Sequence, residues 1–173
     1  DADTTHKKHA HENYLRDFGK HKADILLGTQ MIAKGLDFEN VTLVGILNGD
    51  ALLNRSDYRS AELCYDLLEQ ACGRSGRGEK QGEVIIQAYD TKHYAIQCAA
   101  HHDYKTFFKN EMNYRHLAGY PPYTYLTSLT FSHKQEELAY QGAQLAFSLL
   151  KAKSEVRVLG PTALHKLRGE CRI

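Results

Sequence analysis

The sequence predicts an α/β fold, a parallel sheet with helices between its strands, followed by the start of a second, α+β domain. Two aliphatic runs, Val41–Leu47 and Glu83–Tyr89, read as strands, and a strongly periodic helix, Arg59–Cys72, lies between them. Strand, helix, strand in that order is the pattern of a parallel unit. A further observation sets a boundary: Gly119-Tyr-Pro-Pro-Tyr123 closes a helix-rich stretch, because consecutive prolines stop a helix and favour extended backbone. Residues 1–92 are expected to form the sheet domain, 93–118 a helical connector, and 119–173 the beginning of a second domain that is cut short.

Residues 6–20 suit an amphipathic helix that starts after Thr4 or Thr5, with Tyr14, Leu15 and Phe18 inward and Gly19 near its end. His6, His9 and His11 on this helix invite a metal, but no carboxylate or thiolate completes a ligand set, and a solvated polar face accounts for them. Asp24-Ile-Leu-Leu27 reads as a short buried strand whose following polar residues would emerge at the carboxyl end of the sheet, where open α/β folds bind ligands. Val41–Leu47 is the next strand and ends at Asn48-Gly-Asp50; Asp50 either serves a site there or caps the turn.

In the helix Arg59–Cys72, Ala61, Leu63, Cys64, Leu67, Leu68 and Ala71 supply the apolar positions, and Glu83–Tyr89 returns as a strand. From His93 to Leu117 the chain is helical; its Tyr104, Phe107, Phe108 and Tyr114 fit either a core or a base-stacking surface, the core being the commoner use of such spacing. Beyond the prolines come an alternating strand, Thr124–Phe131, an amphipathic helix, Glu136–Lys151, and a strand from Val156 to Leu159, a βαβ start. With no initiating Met and a last strand broken at Arg172-Ile173, neither end is expected to be natural.

Composition narrows the class. A chain of 173 residues with 42% hydrophobic residues supports a real core, and reads as soluble and globular. The 22 basic and 21 acidic residues leave a formal charge of +1, so any contact with nucleic acid depends on local placement of Lys and Arg. Cys64, Cys72, Cys98 and Cys171 form no C-x-x-C pair, which argues against a zinc site or a disulfide framework and for reduced thiols in the cytoplasm. No apolar run approaches the roughly 20 residues that span a membrane.

Two stretches carry chemistry. Gln70-Ala-Cys-Gly-Arg-Ser-Gly-Arg-Gly78 places two guanidiniums three residues apart between glycines directly after a helix. Arg is always charged and its planar fork binds phosphate oxygens in pairs, while Gly73, Gly76 and Gly78 permit tight backbone paths; a solvated basic turn is the bland alternative. Upstream lies Gly28-Thr-Gln-Met-Ile-Ala-Lys-Gly-Leu-Asp-Phe38.

Together these stretches resemble motifs V and VI of the superfamily 2 helicases, through Thr29, Lys34, Gly35, Leu36 and Asp37 for the first and Gln70, Gly73, Arg74, Gly76 and Arg77 for the second. Asp3-Thr-Thr5, the GTQMIAKG form of motif V, Ser56-Asp-Tyr-Arg-Ser-Ala-Glu62, Tyr120-Pro-Pro-Tyr123 and Leu159-Gly-Pro161 make the chain similar to the PriA family of primosomal replication-restart helicases along nearly its whole length. It departs from the family at Asn48, where an acidic residue is expected, and at Glu170-Cys171, where a basic or aromatic pair would fit better.

The resemblance implies a RecA-like second helicase lobe, present in part, and a truncated C-terminal α+β domain. It also implies an ATP-dependent DNA helicase that assembles primosomes and restarts replication at stalled forks. Arg77, Arg74 and Gln70 would be catalytic, Gly35 and Asp37 would approach the nucleotide, and Thr29 and Lys34 would hold the DNA backbone. ATP and Mg2+ are the implied cofactors, with zinc only in a cysteine-rich region upstream of Asp1. Single-stranded and forked DNA, other primosome proteins and single-strand-binding protein are the implied partners. No G-x-x-x-x-G-K-[ST] phosphate loop or D-E-x-H motif is present, so the chain taken alone is expected to be inactive. A non-catalytic module that docks on DNA forks or partners is the alternative of a different class, and an RNA helicase fits the GTQMIAKG and YPPY stretches less well.

Overall fold

The computed structural model describes residues 10–29, 38, 41–73, 82–153, 155–167 and 169–173, with the backbone alone at His11. The chain divides into two compact units, Asp1–Thr124 and Tyr125–Ile173.

The first unit holds α1 (Ala10–Gly19), β1 (Leu43–Ile46), α2 (Ser60–Cys72), β2 (Glu83–Ile86), α3 (Tyr94–Ala100) and α4 (Tyr104–Ala118). β1 and β2 pair in parallel, Leu43 opposite Glu83 through Ile46 opposite Ile86. Side chains alternate across the pair: Val44, Ile46, Val84 and Ile86 are half-buried, and Leu43, Gly45 and Ile85 are exposed. Ile46 and Ile86 pack on a core made by Cys64, Tyr65 and Leu68 of α2, Ala95, Ile96, Cys98 and Ala99 of α3, and Phe107 of α4. Leu68 is fully buried, which stabilises by about 1.5–3 kcal/mol. The alanines let α3 approach α2 closely, so the stretch expected to be a connector lies within the core of this unit.

Local signals set the helix ends. The Nδ1 of His93 accepts the Ala95 N–H at the start of α3, and the Asp103 carboxylate accepts the Thr106 N–H at the start of α4. Both helices end in the same hydrogen-bond pattern. At the end of α4 the Tyr120 N–H reaches Arg115 O and the Gly119 N–H reaches His116 O, with Gly119 left-handed at φ 67°. At the end of α3 the Asp103 N–H reaches Cys98 O and the His102 N–H reaches Ala99 O, but the left-handed residue, φ 52°, is His102.

The second unit contains β3 (Ser132–His133), α5 (Glu136–Lys151), β4 (Leu164–Leu167) and β5 (Glu170–Arg172), with strand order β3-β5-β4, all antiparallel. Phe131 and Ile173 exchange both backbone hydrogen bonds and prolong the β3–β5 pairing. Ala139, Ala143, Ile173 and Phe131 form its small core; a Cβ on Gly142 would come within 3.1 Å of the Phe131 ring.

Several expectations are corrected. Asp24–Leu27 is not a strand: Ile25 and Leu27 are 83% and 85% exposed. A lone extended segment has no ladder to join, and among the described residues the parallel sheet contains β1 and β2 only. Tyr14, expected inward, is exposed. In the stretch Thr124–Phe131 only Phe131 is paired, with Ile173, and the strand proper is the following Ser132–His133; Tyr125, Leu126 and Leu129 are exposed. Val156–Leu159 is likewise unpaired, and pairing begins only after Gly160 (φ 96°) and Pro161, which lacks an N–H. The βαβ order is present but β5 lies between β3 and β4, so no parallel pair forms in this unit.

Candidate nucleotide-facing site at the end of α2

α2 carries the start of the arginine stretch. Its length is explained by good helix formers, Ala61, Glu62, Leu63, Leu67, Leu68, Glu69 and Gln70, and by the buried face Cys64, Tyr65, Leu68 and Cys72. Gln70 sits exposed in the last turn. The Gly73 N–H closes the helix on Glu69 O at 3.0 Å. Arg74, Gly76, Arg77 and Gly78 lie outside the described residues, as do Lys34, Gly35, Leu36, Asp37 and the histidines at 6 and 9, together with the side chain of His11. Thr29 is described and exposed. The chain runs from the first stretch through Val41 into β1 and from the second through Gly82 into β2, and Leu43 pairs with Glu83. Of the first stretch only Gly28, Thr29 and Phe38 are described, and of the second only Gln70 to Gly73, so the carboxyl-end position anticipated for the first lies outside the described residues.

The carboxyl ends are closed by packing. The Asp50 carboxylate, 5% exposed, accepts the N–H groups of Tyr89 (2.8 Å) and Asp90 (2.9 Å) through Oδ2, and these bonds, that from Asp90 foremost, hold it below the usual carboxylate range. Gly49 N–H donates to Gln87 O at 2.7 Å, and a Cβ at Gly49 would stand 2.8 Å from Ile86 Cγ2. Of the two uses open to Asp50, the structure supports the cap. Cys64 Sγ donates to Gly49 O, and burial, then the Asp50 charge, pushes its thiol up to about 11. Burial also raises Cys72 and Cys98. These thiols are core side chains that stay protonated, and all four cysteines are free.

The opening end of α2 is tied down by a partly buried network. Arg115 of α4 donates from Nε to Glu111 Oε1 and from Nη2 to Glu62 Oε2, both at 2.7 Å. The Tyr94 hydroxyl donates to the other Glu111 oxygen at 2.5 Å. Burial, then that bond, moves the Tyr94 hydroxyl well above its ordinary value. The Arg115 guanidinium lies 5.2 Å from the centre of the Tyr58 ring, which stacks on Tyr120 at 5.4 Å. A cavity of about 430 Å³ beside this network is lined by Arg55, Tyr58, Tyr94, Tyr114 and Tyr120 among others. Ser60 and Ala61, at the start of α2, also line it, a helix length away from Gln70.

The closing end is held by a different device. Glu69 accepts the Tyr65 hydroxyl on Oε1 at 3.0 Å and contacts His102 Nδ1 through Oε2 at 2.9 Å. Tyr65 is anchored by stacking on Phe107, 4.1 Å between centres. The His102 side chain is 61% exposed, and an exposed pair of this kind stabilises by about 0.2–1 kcal/mol, no more than a left-handed non-glycine residue costs, about 1 kcal/mol or more.

Sequence reasoning located α2 and Gln70 but missed Glu62, Glu111, Arg115 and the Glu69–His102 contact. The i,i+4 spacing of Glu111 and Arg115 was the available signal for the first group. Of the aromatics weighed for base stacking, Phe107 is core, whereas Tyr104, Phe108 and Tyr114 are exposed. Among the described residues no group of three or more His, Cys, Asp or Glu side chains could hold a metal ion, and no helix is long and apolar enough to cross a membrane.

The model of the helicase conserved C-terminal domain matches residues 2–79, which include both arginine- and lysine-bearing stretches. Replication restart protein PriA of Bacillus subtilis is 53% identical over 165 residues, 94% of this chain and 20% of that protein. The protein of that name from Synechocystis is 42% identical over 171 residues, 97% of the chain and 20% of the relative, and that from Treponema pallidum 38% over 165 residues, 94% and 25%. The chain thus spans about a fifth of the length of the first of these relatives. Along nearly its whole length the chain is similar to a stretch of replication restart protein PriA from several bacteria, and its residues 2–79 match the helicase conserved C-terminal domain.

Proposed function

We propose that this chain is the arginine-bearing lobe of an ATP-dependent DNA helicase that acts in primosome assembly and replication restart. The observation that carries the reading is the Gln70–Gly78 stretch, which leaves a helix end fixed on two sides and runs into a strand paired in parallel with the one that the Thr29–Asp37 stretch enters. In this reading residues 1–92 form the second RecA-like lobe, 93–118 join it to the next domain, and 119–173 begin that C-terminal domain. The protein works in the cytoplasm on single-stranded and forked DNA, with other primosome proteins and single-strand-binding protein as partners.

ATP, when bound, supplies the phosphoryl group that is transferred to water. Arg77 and Arg74 reach its terminal phosphates with planar, permanently charged forks; Gln70 supports them; Gly35 and Asp37 meet the nucleotide's ribose side. An arginine acting this way contributes about 10³- to 10⁵-fold to turnover in related systems. Mg2+ would accompany the nucleotide, as the similarity to the helicase domain suggests. Thr29 and Lys34 grip the DNA backbone, contacts that position without reading sequence. Drawing the arginines toward phosphate closes the cleft, and hydrolysis removes the charge that held it closed.

The test is phosphate release by the full-length protein with and without single-stranded DNA. DNA-stimulated turnover above about 1 s⁻¹, in the ordinary range for enzymes, is expected. DNA binding with no turnover would instead favour the docking module.

A further inference from the structure

Nothing in the helicase chemistry above uses the cavity at the opening end of α2, and two stretches far apart in sequence build it. Arg55 and Tyr58 come from the turn before α2, Tyr114 and Tyr120 from the end of α4 and just beyond it. The fold holds their rings. Tyr58 stacks on Tyr120 at 5.4 Å and 23° and lies under the Arg115 guanidinium, while Tyr114 stands 6.3 Å from Tyr120. Tyr94 completes the aromatic lining, tied through its hydroxyl to Glu111. At about 430 Å³ the cavity falls within the usual range of small-molecule sites, about 300–1,000 Å³.

The charges and polar groups around it narrow the ligand. Asp57 accepts the Arg59 N–H and guanidinium, the N–H foremost in holding its carboxyl below the ordinary range. Both Glu111 oxygens are engaged, by Arg115 and by Tyr94. Arg55 forms no ion pair among the described residues, so the uncompensated charge at the cavity is positive. A cationic ligand would find no free carboxylate there. Only Leu53 and Ala61 bring aliphatic surface; the other walls set ring faces beside hydroxyl, imidazole and guanidinium groups. A purely apolar side chain would leave those polar groups without partners. A flat ring with polar edges and an attached anion satisfies rings, edges and charge together, and that combination is a nucleotide.

We propose that this cavity is a nucleotide site, in which a base lies on the ring of Tyr114 and its phosphate meets Arg55. The nucleotide is one unstacked residue of a bound DNA strand, a choice of source that rests on the reading of the chain as part of a DNA helicase; a free nucleotide offers the same groups. Tyr114 is 53% exposed and so has ring surface to give. Stacking of this kind tolerates any sequence, because every base has a π-face.

The experiment uses the full-length protein and two single strands of equal length, one bearing bases and one abasic throughout. Tyr114→Ala is expected to reduce the preference for the base-bearing strand by about 5- to 100-fold, with affinity for the abasic strand and the thermal melt unchanged. Tyr114→Phe keeps the ring and should keep the preference. Arg55→Ala should weaken both strands alike and flatten the salt slope by about one unit. Deoxyadenosine monophosphate, titrated into the same variants, tests the other source. Its binding, lost in both Tyr114→Ala and Arg55→Ala while the strand preference stays intact, would keep the nucleotide site and give it to the free nucleotide. A strand preference unchanged in Tyr114→Ala, with no monophosphate binding that depends on Tyr114 or Arg55, would overturn the proposal. So would a loss of preference that appears equally in Tyr114→Phe and tracks a lowered melt. If the full-length protein binds neither strand, the helicase reading itself fails, and the monophosphate titration still decides the cavity.

Discussion

The two ends of α2 are fastened by unlike means. At the opening end Glu62, Arg115, Glu111 and Tyr94 form a chain of short hydrogen bonds in which Arg115 and Glu111, 11% and 6% exposed, are the buried pair and Glu62, the member on α2, is 44% exposed; the Tyr58 ring lies over the guanidinium and stacks on Tyr120. The closing end rests on Glu69, a tyrosine and an exposed histidine. Low dielectric makes each buried contact strong and each missing partner costly, whereas a solvated pair contributes little. The two ends join α2 to different neighbours: Glu62 ties the first to Arg115 of α4, and Glu69 ties the second to His102 at the end of α3.

The largest expected effect is therefore at the opening end. Arg115→Ala leaves the buried Glu111 carboxylate without its cation and should destabilise the corner by about 3–5 kcal/mol, with little added by Glu62, whose side chain is 44% exposed. The measurement is amide exchange of α2 and α4 in the full-length protein; Arg115→Lys should not restore protection, because one ammonium cannot reproduce the fork that serves two carboxylates. Unchanged protection in Arg115→Ala would erase the contrast between the ends.

A smaller effect comes from His93, beside Tyr94 at the start of α3. Burial lowers its pKa below 6.5, outweighing the Asp90 and Glu111 carboxylates that act the other way. For a base whose folded value is depressed, the stability contribution is complete above the unfolded value and is lost as pH falls from 6.5 toward the folded value. Protonation also removes the Nδ1 lone pair that caps Ala95. Protection of α3 should thus weaken below pH 6.5, and His93→Asn, which caps without titrating, should flatten that dependence. The smallest effect on stability is expected for His102→Gly, where none is lost; a clear loss would make the closing end structural as well.

Much of the helical part was legible because periodicity is local: Glu136–Lys151 matches α5, and Arg59–Cys72 differs from α2 by one residue. Strands were less so, because a strand exists only with a partner. Asp24–Leu27 and Val156–Leu159 have the aliphatic composition but no ladder among the described residues, and of Thr124–Phe131 only Phe131 is paired. At the candidate site Gln70 could be read from the arginine stretch, while the fastenings of α2 could not. Glu62 meets Arg115 across 53 residues and Glu69 meets His102 across 33. A left-handed histidine carries none of the sequence signal that a glycine such as Gly119 does. Asp50 illustrates the intermediate case, a residue flagged by its place at a strand end whose use became decidable only with its donors, Tyr89 and Asp90, in view.

The most direct test of this lobe's chemistry is the steady-state ATPase rate of Arg77→Ala in the full-length protein, measured beside its DNA affinity and thermal melt. A fall in turnover of about 10³-fold or more, with DNA binding and melting nearly unchanged and no recovery in Arg77→Lys, is the predicted result. Near-normal turnover would mean that Arg77 is no more than a solvated cation and would contradict the catalytic role assigned to the arginine stretch.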